Sequence, residues 1–90
     1  MKSLSKALQQ IPNIGPAMAE DLIRLGIRSI EDLAKKDPDK MYARLCEIDR
    51  RKHDICVRDV FEAAVTYTRG GPDRPWWYYS RRRKAKQAKR

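Results

Sequence analysis

Ninety residues support one small domain and leave no room for two cores. Hydrophobic residues make up 41% and charged residues 37%, with a formal net charge of +9, which points to polyanionic partners and to nucleic acid first among them. No apolar run approaches the ~20 residues of a membrane span, Met1-Lys2-Ser3-Leu4 does not open a secretory signal, and 2 cysteines are too few for a disulfide framework. A reduced, cytoplasmic setting is the expectation.

In chain order, Leu4, Ala7, Leu8 and Ile11 recur at the i, i+3, i+4, i+7 spacing of an amphipathic helix, with Ser3 or Ser5 as its cap. Pro12 cannot sit inside a helix, so this one ends near Gln10. The hairpin Ile11-Pro12-Asn13-Ile14-Gly15-Pro16-Ala17 follows. Asn13 tolerates the left-handed backbone of a tight turn, and Gly15, lacking a Cβ, lets a backbone approach closely. Pro16 suits the first position of a second helix that runs to Leu25 on Met18, Ala19, Leu22, Ile23 and Leu25. Gly26 stops it in a left-handed conformation, with Ile27 packing back on Leu22 as in a Schellman ending.

Ser29 with Asp32 forms a weak capping box, and Ile30, Leu33 and Ala34 make the inner face of a third helix. Asp37-Pro38 starts a fourth, carrying Met41, Tyr42, Leu45 and Ile48 at helical spacing. Asp49 to His53 reads as a loop. Asp54 caps the longest helix, Ile55 to Arg69, whose core face carries Val57, Val60, Phe61, Ala64 and Val65, and Gly70-Gly71-Pro72 ends it. No stretch alternates cleanly enough for a strand. The expected architecture is all-α: a compact bundle of about five short helices. It occupies residues 1–79 and finishes in the aromatic segment Trp76-Trp77-Tyr78-Tyr79, and residues 80–90 form a basic, flexible tail. Residues 1–70 carry 13 basic and 11 acidic side chains, a net +2, whereas residues 71–90 carry 8 basic and 1 acidic, a net +7. The helix pairs 4–25 and 30–48 suggest a loose internal duplication.

The amides that follow Gly15 lie at a helix N-terminus, where unpaired N–H groups and the helix dipole favour an anion. The stretch Leu8 to Leu33 resembles the helix-hairpin-helix motif of nucleic-acid-binding proteins. The resemblance rests on Ile11-Pro12-Asn13-Ile14-Gly15-Pro16, Ala19, Leu22 and Leu25-Gly26-Ile27-Arg28-Ser29-Ile30-Glu31-Asp32-Leu33. It implies a SAM-like or tandem helix-hairpin-helix arrangement that grips one DNA strand without sequence preference. The amides of Ile14, Gly15 and Ala17 would be the donors, with Asn13 on the same surface and Arg24 or Arg28 adding charge. In some members a monovalent cation held by hairpin carbonyls assists, so such an ion is the one cofactor implied. Asn13 departs from the family, which usually has glycine there.

The chain up to Tyr79 is also similar to a small bacterial family, the pathogenicity-locus Cdd1 proteins, often labelled as mitomycin-resistance proteins. The residues are Asp21-Leu22, Leu25-Gly26-Ile27, Tyr42-Ala43-Arg44-Leu45-Cys46, Asp54-Ile55-Cys56-Val57, Phe61-Glu62-Ala63-Ala64-Val65 and Trp76-Trp77. This similarity implies a helix-hairpin-helix fold and a link to DNA damage or its repair, without a defined activity.

Each signal has a plainer reading. The same hairpin joins helices in protein-interaction modules. Trp76 and Trp77 either stack on exposed bases beside the basic run or fold back into the core, and burial of at least one is expected. Arg81, Arg82, Arg83 and Lys84 open an electrostatic arm, or else a solvated tail. Cys46, His53 and Cys56 lack a fourth strong ligand, so no metal is expected. A Cys56 nucleophile with His53 as base requires a lowered thiol pKa. Asp59 and Glu62, one turn apart, read as a solvated face paired with Arg58 or lysines. With no Gly-rich nucleotide loop and no serine triad, the expected function is non-catalytic, sequence-independent binding of DNA, or of RNA. A protein-interaction adaptor of the same fold is the alternative.

Overall fold

Prolines, glycines and capping side chains divide the chain, in the computed structural model, into six helices: α1 (Lys2–Leu8), α2 (Pro16–Arg24), α3 (Ile30–Ala34), α4 (Pro38–Asp49), α5 (Cys56–Thr68) and α6 (Trp76–Ala88). The structure describes residues 2–88, and there is no strand among them. Met1 and the last two cations of the basic run, Lys89 and Arg90, lie outside the described residues.

The helix ends follow from local chemistry. Ser29 Oγ accepts the Asp32 amide at 3.0 Å, and an Asp37 carboxylate oxygen accepts that of Asp39 at 2.9 Å, each satisfying one donor that the helix itself leaves open. Asp54 does the same for Cys56 at 2.9 Å. Three helices end in Schellman motifs. Ile27 N–H bonds Leu22 O, Arg51 N–H bonds Cys46 O and Gly71 N–H bonds Thr66 O, each closing over a left-handed residue. Two of those residues are glycines, Gly26 and Gly70, but the third is Arg50, with φ +52°. A Cβ on Gly71 would stand 2.6 Å from Thr66 O, so that position also needs glycine.

One apolar core joins these elements. Leu8, Ile11 and Ile14 from the hairpin region meet Ala19 and Leu22 of α2, Leu33 of α3, Met41 and Leu45 of α4, and Phe61, Ala64 and Val65 of α5. α5 is the central element, packed against α3, α4 and α6, while α1 and α2 pack on one another. The radius of gyration, 12.7 Å, is close to the ~12 Å expected of one compact domain of this length. Arg69 at the end of α5 donates to Ala34 O at 2.6 Å and Lys36 O at 3.1 Å, tying the short α3 to the bundle.

Three expectations are corrected. Ile30, expected on the inner face of the third helix, is exposed, because five residues give α3 one buried position, Leu33. Residues 80–88 are not a flexible tail: they continue α6, which starts at Trp76 and crosses the boundary drawn at residue 79. Finally, Asp59 is not on a solvated face. It is fully buried at the α5–α6 contact and accepts from Ser80 Oγ at 2.5 Å and from Arg83 Nε and Nη2 at 3.0 Å. Arg58 Nη1 adds a contact at 3.3 Å. That buried charge, with the buried Tyr79, joins α6 to α5.

Candidate nucleic-acid interface

The hairpin is built from the inside out. Ile11 and Ile14 are buried and anchor its two ends, while Asn13, Gly15, Pro16 and Ala17 face solvent. Ile14 N–H donates to Ile11 O at 3.1 Å, closing a turn with proline second and a left-handed Asn13, φ +73°, third. That is the pattern of a type II turn. The Ile14 amide therefore serves the turn, which corrects its expected role as a phosphate donor.

The next amides differ. Pro16 has no N–H, and the first hydrogen bond of α2 runs from Ala19 N to Gly15 O at 2.9 Å. Gly15, Ala17 and Met18 keep amides with no acceptor among the described residues, and no side chain caps α2. Gly15 is extended, with φ −93° and ψ −174°, and a Cβ there would meet nothing within 4 Å. Neither backbone strain nor internal packing requires glycine at this position. The Cβ it lacks would stand in open space.

Asn13 turns away from that surface. Its Nδ2 donates to Arg74 O at 3.0 Å, and its Oδ1 accepts from Trp76 N at 3.4 Å. A side chain expected to contact nucleic acid is thus a clamp between the hairpin and the first residue of α6. The asparagine side chain therefore has protein partners of its own. Of the hairpin carbonyls a monovalent cation would use, Ile11 O and Gly15 O already accept amides, and Ile11 to Ala17 contain no carboxylate.

The expected cations divide into two groups. Arg24 pairs with Asp21 at 3.1 Å and with Asp49, and the Arg24 hydrogen bond holds the Asp49 carboxyl below its usual range, against the opposing effect of burial. Arg83 is engaged by Asp59. Burial resists ionisation of that carboxylate, but hydrogen bonds from Arg83 and Ser80 outweigh it and keep its pKa below the ordinary value. Arg83 is therefore structural, and Arg24, though paired, keeps 41% of its side chain exposed. Arg28, Arg81, Arg82 and Lys84 are exposed.

The aromatic segment also differs from expectation. Trp76 and Trp77 are 37% and 50% exposed, and Tyr79, at 2%, takes the core position. Helical spacing explains this, since Tyr79, Ser80 and Arg83 share the face turned to α5, leaving Trp77 and Arg81 on another. One patch was not foreseen. A cleft of about 330 Å³, floored by Leu25, Ile27 and Met41, is walled by Lys35, Lys36, Lys40 and Arg44, with Asp37 as its one carboxylate. Its signal in the sequence was the Lys40–Arg44 pair, one helical turn apart after Lys35-Lys36, but the near balance of residues 1–70 hid it.

The cysteine chemistry weighed from the sequence needed a lowered thiol pKa. Instead, a hydrogen bond with Asp54, with burial adding to it, pushes the Cys56 thiol up. His53 faces Asp49 at 2.7 Å, and its backbone amide points to Cys46 Sγ at 3.4 Å. Among the described residues, no three His, Cys, Asp or Glu side chains gather as a metal site.

Fold and surface thus define a class: a single all-α domain that presents unpaired amides beside an arginine-rich helix. The chain belongs to the Cdd1 pathogenicity-locus family, whose model matches residues 2–85. It is 35% identical over 77 residues to "Mitomycin resistance protein McrB" of Streptomyces lavendulae, covering 86% of this chain and 73% of that protein. No solved structure matches it. No helix among the described residues is long and apolar enough to cross a membrane.

Proposed function

We propose that this protein binds nucleic acid, DNA before RNA, without sequence preference and without catalysing a reaction. The hairpin amides of Gly15, Ala17 and Met18 receive a backbone phosphate, and Arg28, Arg81, Arg82 and Lys84 supply the surrounding positive charge. The observation that carries this reading is Gly15: a glycine the fold does not need, next to amides with no internal acceptor. Amides at a helix start favour anions, and contacts to phosphate alone position a strand without reading its bases. Similarity to a mitomycin resistance protein supports a setting of damaged DNA.

The test is titration of labelled single-stranded and duplex oligonucleotides at several salt concentrations, comparing wild type with Gly15→Ala. The variant keeps every amide and is expected to fold normally, and to lose about tenfold in affinity because the new Cβ holds the phosphate away and weakens a charge-assisted hydrogen bond. Equal affinity of the two proteins removes the hairpin from the proposal. No binding of any oligonucleotide at low salt leaves the adaptor reading, which the exposed Trp76, Trp77 and Tyr67 favour.

A further inference from the structure

Two adjacent tryptophans at the start of a helix normally complete a small core. Here Tyr79 does so, and Trp77 is left half exposed at 50% with Trp76 beside it at 37%. The surroundings of the Trp77 ring are cationic. Arg81, one turn on, places its guanidinium carbon 5.3 Å from the ring centroid. Lys84 follows on the same exposed side of α6. The neighbouring Tyr78 is different: Arg74 lies 4.2 Å over its ring, Arg82 5.9 Å, and the Tyr79 ring meets it edge-on at 5.1 Å. Tyr78 is thus engaged by two cations and a second ring, whereas the half-exposed Trp77 has Arg81 alone over its ring and keeps the rest of its surface for a flat partner.

This surface adjoins the hairpin. Asn13 bonds both Arg74 O and Trp76 N, one residue from Trp77, and Gly15 lies two residues beyond Asn13. The segment with the unpaired amides and the segment that carries Trp77 are thus joined by one pair of hydrogen bonds. Paired bases hide their faces in the duplex stack, so a side chain of this kind reaches only bases that are unpaired.

We infer that Trp77, flanked by Arg81, is a stacking site for an unpaired nucleobase, and that the favoured ligand is single-stranded DNA rather than duplex. This rests on the proposed function and adds the form of nucleic acid. Phosphate meets the Gly15 and Ala17 amides, a base of the same strand lies on the Trp77 ring, and Arg81 and Lys84 follow the backbone. Base–aromatic stacking of this type tolerates any sequence because every base has a flat face.

The experiment uses the full chain with labelled oligothymidylate of about 12 nucleotides, within the range of single-strand site sizes, and a blunt duplex as comparison. Oligothymidylate is expected to quench tryptophan emission. Trp77→Ala should weaken single-strand binding about tenfold, in the range found for removal of one stacked base, with duplex affinity unchanged within about twofold. Trp77→Phe should restore most of the loss. Circular dichroism confirms that each variant folds. The inference is overturned by single-strand affinity unaffected in Trp77→Ala, by equal losses on both oligonucleotides, or by absence of quenching. Weakening of both ligands by Gly15→Ala with Trp77→Ala silent keeps the hairpin and rejects the stacking site. Binding of neither oligonucleotide by wild type rejects both.

Discussion

Asn13 and Gly15 sit two residues apart in one turn and do opposite things. Asn13 adopts a left-handed backbone and turns its side chain across the surface to Arg74 O and Trp76 N. Asn13→Gly keeps the backbone and loses the clamp, so it should cost about 1 kcal/mol in urea denaturation. Asn13→Ala also meets the left-handed penalty of about 1–2 kcal/mol and should be the worse of the two. A variant series with alanine no worse than glycine would contradict this geometry. Gly15→Ala should leave stability within about 0.5 kcal/mol, because its extended backbone suits alanine and the Cβ enters open space. Arg50 presents the reverse case, a long side chain at a left-handed helix end. Arg50→Gly should stabilise the fold by roughly 0.5–1 kcal/mol, read as a higher urea midpoint at unchanged slope.

At the level of elements, α6 was the part the sequence concealed. The caps at Ser29 and Asp37 and the stop at Gly26 were legible because each is made by residues within five positions of one another. α6 has a long run of cations and little apolar periodicity, and what fixes it is Asp59, 24 residues from Arg83. No local pattern reports a pair at that separation. Breaking a buried ion pair from one side costs about 3–5 kcal/mol. Truncation after Tyr79, which removes Ser80 and Arg83, should therefore lower the melting temperature by roughly 12 °C or more, whereas loss of a solvated tail would leave it unchanged. The same carboxylate gives a pH dependence. Its folded pKa is below its unfolded value, so its contribution is fully present above about pH 4. That contribution is lost as acid carries the pH down through the folded pKa. Asp59→Asn should be less stable at pH 7 and should lose less stability than wild type between about pH 4 and pH 2, followed by urea denaturation at each pH.

Over the whole molecule, the net +9 overstates the charge open to a partner. Arg58, Arg69 and Arg83 hold the fold together through carboxylates or helix-end carbonyls, and Arg24 is neutralised by surface carboxylates. Counting residue types could not separate these from Arg28, Arg81, Arg82 and Lys84, because pairing is a property of the folded surface. The turn at Pro12 to Pro16 could be foreseen from residue chemistry. That Ile14 closes it, leaving Gly15 and Ala17 open, required the backbone. The exposed cations should appear in the salt dependence of duplex binding: Arg81→Ala with Lys84→Ala is expected to reduce the slope of log affinity against log salt by up to about 1.8.

The most direct measurement is an NMR titration of the labelled protein with a short oligonucleotide, following backbone amides. The resonances of Gly15, Ala17 and Met18 should shift in a saturable way, while Ile14, whose N–H is held by Ile11 O, moves little. A titration that shifts the side chains and amides of α6 yet leaves Gly15 and Ala17 in place would contradict the hairpin as the phosphate contact.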